Sequence, residues 1–264
     1  MVLNFEWKVG ELLPLPDSAD LGAASAALPG GAYTTLRTYG GRRFLRLQDH
    51  IERLARSAGG ELPPPWVREA MRAALGATAH PESRLRLTFA PPRLFVSVER
   101  FTPLPADLYR DGARCATVPL QRERPQAKDT AFIATAASAY RRLPAGVHEG
   151  LLVTPEGAIL EGLSSNFFAV RQGTLRTEGA RALPGITRSL VLDVAEGILP
   201  VELTAVHVAD LTGVQECFVT SASRGMLPVV AVDEVVIGTG RPGPITTELR
   251  RRFDARIDAE AEEV

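Results

Sequence analysis

The chain has 264 residues, 45% of them hydrophobic and 23% charged, proportions that fit a globular protein and exclude disordered, collagen-like and membrane-spanning classes. Thirty Lys and Arg against 31 Asp and Glu give a formal charge of −1, so the whole-molecule positive field that suits nucleic acid or an anionic membrane is absent. Cys115 and Cys217 are the only cysteines, which leaves neither a disulfide framework nor a thiolate metal site.

In chain order, Glu6, Lys8 and Glu11 interrupt what would have to be the apolar stretch of a signal peptide. The uncharged run 21–36 is broken by Gly and Pro and is too short to span a bilayer. Cytoplasmic residence without a membrane segment is the expectation. YTTLRTY at 33–39 and 43–47 alternate around Gly40-Gly41 and predict a β-hairpin. Asp49 is placed to cap a helix with Ile51, Leu54, Ala55 and Ala58 on its apolar face, ended by Gly59-Gly60. After Pro63-Pro64-Pro65, Trp66, Val67, Ala70, Met71, Ala74 and Leu75 predict a second helix. Strands over 84–89 and 94–100 make a further hairpin through Ala90-Pro91-Pro92.

A proline-rich stretch follows, and the domain connection is placed at 119–127, between an N-terminal α+β domain (1–118) and a C-terminal domain (128–264). A helix is predicted over 130–143 and short strands over 151–153, 158–160, 166–170 and 174–176. Leu190, Val191, Val194, Ala195 and Ile198 mark a helix after Leu183-Pro184-Gly185, with strands near 217–220 and 235–237. Ile245, Leu249 and Phe253 mark a last helix whose acidic tail, 260–263, is expected to fray.

Four features carry chemistry. Lys8 and Lys128 are the only lysines in an Arg-rich chain. An amine is exchangeable for a guanidinium in a salt bridge but not where it must lose its proton and attack a carbonyl, because Arg stays protonated. Lys128 is therefore a candidate nucleophile, although a lone lysine also persists by chance. LPGITR at 183–188 puts Pro and Gly before a helix, either an anion site built on free amides or an ordinary start capped by Thr187. A second small-residue turn, Thr220-Ser221-Ala222-Ser223, follows an apolar strand. Glu161 in ILEGLSSNFF is either a buried carboxylate needing a partner or a residue on the solvent face of an alternating strand. Arg53 in DHIERL reads by itself as a solvated helix charge. The four histidines lack metal-ligand spacing, and no Gly-rich nucleotide signature or GxSxG elbow occurs, so no metal is expected.

Taken in order, YTTLRTY with DHIERL, Lys128, EGLSSNFF, LPGITR and FVTSASRGMLPV followed by Asp233 resemble the class IV aminotransferase family. These are the fold type IV enzymes that use pyridoxal 5′-phosphate, among them branched-chain and D-amino acid aminotransferases and aminodeoxychorismate lyase. The resemblance runs from about Gly31 to Thr247. It implies a two-domain α+β fold, with a smaller N-terminal α/β sandwich and a larger C-terminal pseudo-barrel, and the cofactor in the cleft between domains. Lys128 would form the Schiff base with the cofactor and move the Cα proton, and Glu161 would hold the pyridine nitrogen protonated. Arg53, the amides of Ile186 and Thr187, and the Ala222 turn would bind the phosphate, with Tyr33, Ser221 and Ser223 beside the substrate. Ser164, Ser165 and Asn166 would brace the cofactor strand.

The implied activity is transfer of an amino group between an amino acid, branched-chain among the options, and a 2-oxo acid by a homodimer. The alternative is 4-amino-4-deoxychorismate lyase chemistry, releasing pyruvate and 4-aminobenzoate, and more remotely a non-catalytic small-molecule-binding protein. Thr34 and Ile133 stand where branched-chain enzymes often carry Glu and Tyr, Arg84-Leu-Arg86 lacks the His of a D-amino acid carboxylate trap, and Ala222 replaces a common hydroxyl. Donor, acceptor and stereochemistry stay open at this level.

Overall fold

The computed structural model describes residues 1–8 and 10–264. The chain divides into two compact units, one made of residues 1–103, 127–135 and 257–264, the other of residues 104–126 and 136–256.

The first unit opens with β1 (Val2–Lys8) and β2 (Glu11–Ser18), an antiparallel pair outside the predicted elements. Pro14 and Pro16 argue against a strand from sequence, but β2 is a sheet edge, where a missing ladder donor is tolerated. Next come α1 (Leu21–Ala27), capped by the Asp20 carboxylate accepting from Ala23 N at 2.9 Å, then β3 (Ala32–Arg37) and β4 (Arg43–Leu45). Helices α2 (Leu47–Ala58) and α3 (Pro64–Gly76) lead into β5 (Ser83–Ala90) and β6 (Arg93–Arg100). The antiparallel sheet has the order β2-β1-β6-β5-β3, and Leu85, Leu87 and Val96 form one core with Ile51, Leu54, Val67 and Met71 of the two helices.

Two local expectations are corrected. The hairpin predicted over 33–47 does not form. Only Tyr39 and Arg43 bridge, because the amides of Gly40 and Gly41 donate to the Glu82 carboxylate and β3 pairs with β5 instead. Asp49 is not the cap of α2, which starts at Leu47 after Arg46 in the left-handed conformation (φ 47°); Asp49 lies in the first turn, where its charge suits the helix dipole.

In the second unit α4 (Ala106–Asp111) and β7 (Ala113–Val118) precede α5 (Ala131–Tyr140), whose first turn belongs to the first unit. There follow β8 (Glu149–Val153), β9 (Ala158–Gly162), β10 (Asn166–Arg171), β11 (Thr174–Arg176) and α6 (Ile186–Ala195). The short β12 (Val201–Glu202) and β13 (Val206–His207) lead to β14 (Glu216–Ser221), β15 (Gly225–Val232) and β16 (Val235–Val236). The sheet runs β12-β11-β10-β14-β15-β7-β8-β9-β13 with β16 on β15, so β10 and β14 lie side by side with Phe168 opposite Phe218, their rings stacked at 4.9 Å.

The chain ends in α7 (Pro244–Glu260) and β17 (Ala261–Glu263). The acidic tail is not frayed. Within the first unit β17 pairs with β4, Glu260 meets Arg46 at 2.7 Å, and Glu262 meets Arg68 at 3.0 Å while accepting from Gln48 N at the start of α2. Charges that look solvated in sequence find fixed partners some 200 positions away in the chain.

Candidate functional site

The first unit carries Lys128, Tyr33 and Arg53. As an edge strand, β3 has a free ladder, and the segment around Lys128 fills it: Tyr33 N donates to Lys128 O at 2.8 Å, Thr130 N to Gly31 O at 2.8 Å, and Ala32 bridges Asp129. Gly31 is needed here, since a Cβ would sit 2.4 Å from Phe89 O. Lys128 N donates to Ser57 Oγ of α2 at 3.1 Å. With the backbone pinned, Lys128 Nζ lies 4.8 Å from the centroid of the Tyr33 ring, which also meets the Arg86 guanidinium at 4.9 Å.

Arg53 is not the solvated helix charge that its position on α2 suggests. It is 5% exposed, on the buried face with Leu54. Burial draws its pKa down to about 10, against the opposing pull of Tyr33 and Asp49, so it remains a cation at neutral pH. Its Nη2 donates to Thr34 Oγ1 at 3.1 Å, and Thr34 Oγ1 lies 2.7 Å from His50 Nδ1. Burial, then the charges of Arg53 and Lys128, hold His50 well below the usual histidine range. A neutral ring can take the Thr34 proton at Nδ1 while the hydroxyl oxygen accepts from Arg53.

The second unit carries Glu161, the start of α6 and the turn after β14. Glu161 is 2% exposed, which settles its two sequence readings in favour of burial. Its carboxylate meets Arg122 Nε at 2.8 Å, accepts from Leu183 N at 3.1 Å and lies 3.4 Å from Asn166 Nδ2. Asn166 also donates to Leu183 O at 2.8 Å, and a Cβ on Gly185 would come within 2.1 Å of Asn166 Oδ1, so Gly185 lets the helix start close against β10. Gly185, not Thr187, is the N-cap of α6, and with no side chain it leaves the amides of Ile186 and Thr187 uncapped by their own loop. On the other side of Asn166, the ladder places Thr220 opposite it, which brings the Ser221, Ala222 and Ser223 turn to the same end of β10.

Lys128, Tyr33 and Arg53 are thus gathered in one unit, and Glu161, Ile186, Thr187 and the 221–223 turn in the other. Arg122 and the contact between Thr34 and His50 escape the sequence reading. Arg122 sits in a Pro-rich stretch within an Arg-rich chain, and nothing in its neighbours marks it as buried; the Thr34–His50 contact joins a strand and a helix 16 positions apart.

Each unit by itself carries groups that suit part of a phosphorylated pyridine aldehyde: the first an amine and a buried guanidinium, the second a buried carboxylate, a close-packed helix start without a side-chain cap and a buried Thr220 hydroxyl without a hydrogen-bond partner. Among the described residues no cluster of His, Cys, Asp and Glu could hold a metal ion, and no helix is long and apolar enough to cross a membrane.

Residues 31–232 match the family described as amino-transferase class IV. A probable branched-chain-amino-acid aminotransferase of Thermotoga maritima is 30% identical over 250 residues, 90% of this chain and 90% of that one. A Methanocaldococcus jannaschii relative is 32% identical over 160 residues, and there the chain spans only 55% of the relative's length. A T.th. branched-chain amino acid aminotransferase solved with pyridoxamine 5′-phosphate superposes with a TM-score of 0.80 at 21% identity, covering 98% of both chains. The 4-amino-4-deoxychorismate lyase of Pseudomonas aeruginosa gives 0.75 at 24% identity, covering 96% of this chain and 99% of that one. These likenesses bear out the α+β, fold type IV expectation.

Proposed function

This chain belongs to the class IV aminotransferase family, and we propose that it moves an amino group between an amino acid and a 2-oxo acid with pyridoxal 5′-phosphate as cofactor. The observation that carries this reading is Lys128, one of two lysines in the chain, whose backbone is pinned on both sides, by Tyr33 and by Ser57, and whose amine stands over the Tyr33 ring. When bound, the cofactor supplies an electron sink for the pair left by Cα proton removal.

Lys128 Nζ would hold the cofactor at its aldehyde and is the group that would carry the Cα proton. Tyr33 confines that amine to one side of its ring. Glu161, its orientation fixed by Asn166 and the Leu183 amide, would pair with the pyridine nitrogen and keep a proton there. Arg53, the amides of Ile186 and Thr187, and the backbone of the Ala222 turn are the groups that would hold the phosphate. Thr34 and neutral His50 fix the Arg53 guanidinium without a competing charge. Tyr33, Ser221 and Ser223 contact the substrate.

A branched-chain donor is supported by the names of the relatives, and a cytoplasmic homodimer is part of the same reading. Lyase chemistry on aminodeoxychorismate is the second reading, favoured by the fold shared with the Pseudomonas lyase. The test is the visible absorption spectrum of the purified protein, followed by borohydride reduction and peptide mapping. A band fixed onto Lys128 supports the reading. A protein that stays colourless with added pyridoxal phosphate leaves a non-catalytic binding protein. Amine transfer to 2-oxoglutarate separates the aminotransferase from a lyase, which would release pyruvate and 4-aminobenzoate.

A further inference from the structure

The second unit holds a buried charge pair that the proposed chemistry does not use. Glu149 on β8 is 0% exposed. Its carboxylate accepts from the Tyr140 hydroxyl at 2.5 Å, the Ser165 hydroxyl at 2.8 Å, Gly150 N at 3.1 Å and Arg224 Nη2 at 2.7 Å. Arg224 is the last residue of the three-residue turn between β14 and β15, which closes on Gly225 at φ +62°. Its Nη2 also donates to Ser164 Oγ at 2.5 Å, and its carbonyl accepts from the Tyr109 hydroxyl at 2.8 Å. Side chain and backbone of Arg224 are therefore both clamped.

The same residue faces Ser221. Arg224 Nε donates to Ser221 Oγ at 3.2 Å and Arg224 N donates to it at 3.3 Å. A hydroxyl has two acceptor lone pairs and one proton. With both lone pairs turned to N–H groups of Arg224, the Ser221 proton points away from Arg224. A guanidinium has no acceptor, so this polarity cannot reverse. Glu149 cancels the charge locally, which leaves Arg224 to fix a direction more than to add a field.

We propose that Arg224, held by Glu149, is a positioning residue that commits the Ser221 hydroxyl to donating, so that it binds the carboxylate of the amino or oxo acid substrate. The assignment rests on the reading of Ser221 as a substrate contact.

The test is calorimetric titration of 4-methylvalerate, a branched carboxylate without an amine, into the purified protein supplied with pyridoxal phosphate. Ser221→Ala and Arg224→Met each weaken binding about tenfold, the size of one hydrogen bond to a charged group. The double variant is no weaker than Ser221→Ala alone, because Arg224 acts only through the Ser221 hydroxyl. Arg224→Met leaves Glu149 without its cation, so Arg224→Lys is the second variant. It keeps a charge for Glu149, lacks the Nε–H donor to Ser221, folds as the native protein does and still loses about tenfold. Native affinity in Arg224→Lys, additive losses in the double variant, or no binding by the native protein would overturn the proposal. Failure of the cofactor reading registers separately, as the absence of a reduced adduct at Lys128.

Discussion

Arg122 meets Glu161 at 2.8 Å with only 5% and 2% of the two side chains exposed, an ion pair joining the stretch before Lys128 to the end of β9. Removing one partner strands the other charge in the interior, which costs about 3–5 kcal/mol. Arg122→Met should therefore lower the urea midpoint strongly, and Arg122→Met/Glu161→Gln should recover much of the loss because neither member of the pair is then charged. Equal destabilisation of the single and double variants would show that the guanidinium matters for its packing and not for its charge.

Glu161→Gln should retain cofactor, since the proposed phosphate contacts do not include Glu161, but slow proton removal at Cα. Exchange of the substrate Cα hydrogen in deuterium oxide measures this step directly. An unchanged exchange rate would reduce Glu161 to a structural partner of Arg122.

Lys128→Ala should abolish turnover while the far-ultraviolet circular dichroism stays native, because the backbone hydrogen bonds that pin residue 128 do not involve its side chain. Multiple turnovers by this variant would remove the mechanism.

His50 makes stability pH-dependent in a defined direction. Its folded pKa is depressed by burial, then by Arg53 and Lys128, well below the ordinary 6.5, so the unfolded chain binds the proton more readily. Its contribution is intact above pH 6.5 and is lost at up to about 1.4 kcal/mol per pH unit as the pH falls toward the folded value. Urea titrations at pH 7 and pH 5 should give a smaller difference for His50→Gln than for the native protein. An identical difference would mean that other groups carry the slope.

Glu262 accepts from Gln48 N at the start of α2 and pairs with Arg68 at 3.0 Å, although its side chain is 40% exposed. Glu262→Ala should cost about 1 kcal/mol, mostly the lost cap, since salt screens the exposed pair. A thermal shift that vanished at high salt would assign the effect to the ion pair instead.

Periodicity and turn chemistry were legible in the sequence where the signal is local. The hairpin of β5 and β6 and the buried faces of α2, α3 and α6 follow from residues a few positions apart, as does Gly185 before α6. Lys128 stood out by composition alone, because an Arg-rich chain that keeps an amine there invites a chemical reason. The order of the motifs was enough to suggest the family.

Tertiary structure decided which polar groups are buried and what they meet. Arg53 and Arg122 look like any other Arg of the chain, yet one lies against Thr34 and the other against Glu161, and the acidic tail expected to fray becomes a strand on β4. The hairpin expected between β3 and β4 fails because β5 and Glu82 compete for the same backbone donors and acceptors. The physical reason is common to all of these. A charge or an N–H group is satisfied by whichever partner the fold brings within about 3 Å, and partners tens or hundreds of positions away leave no period in the sequence.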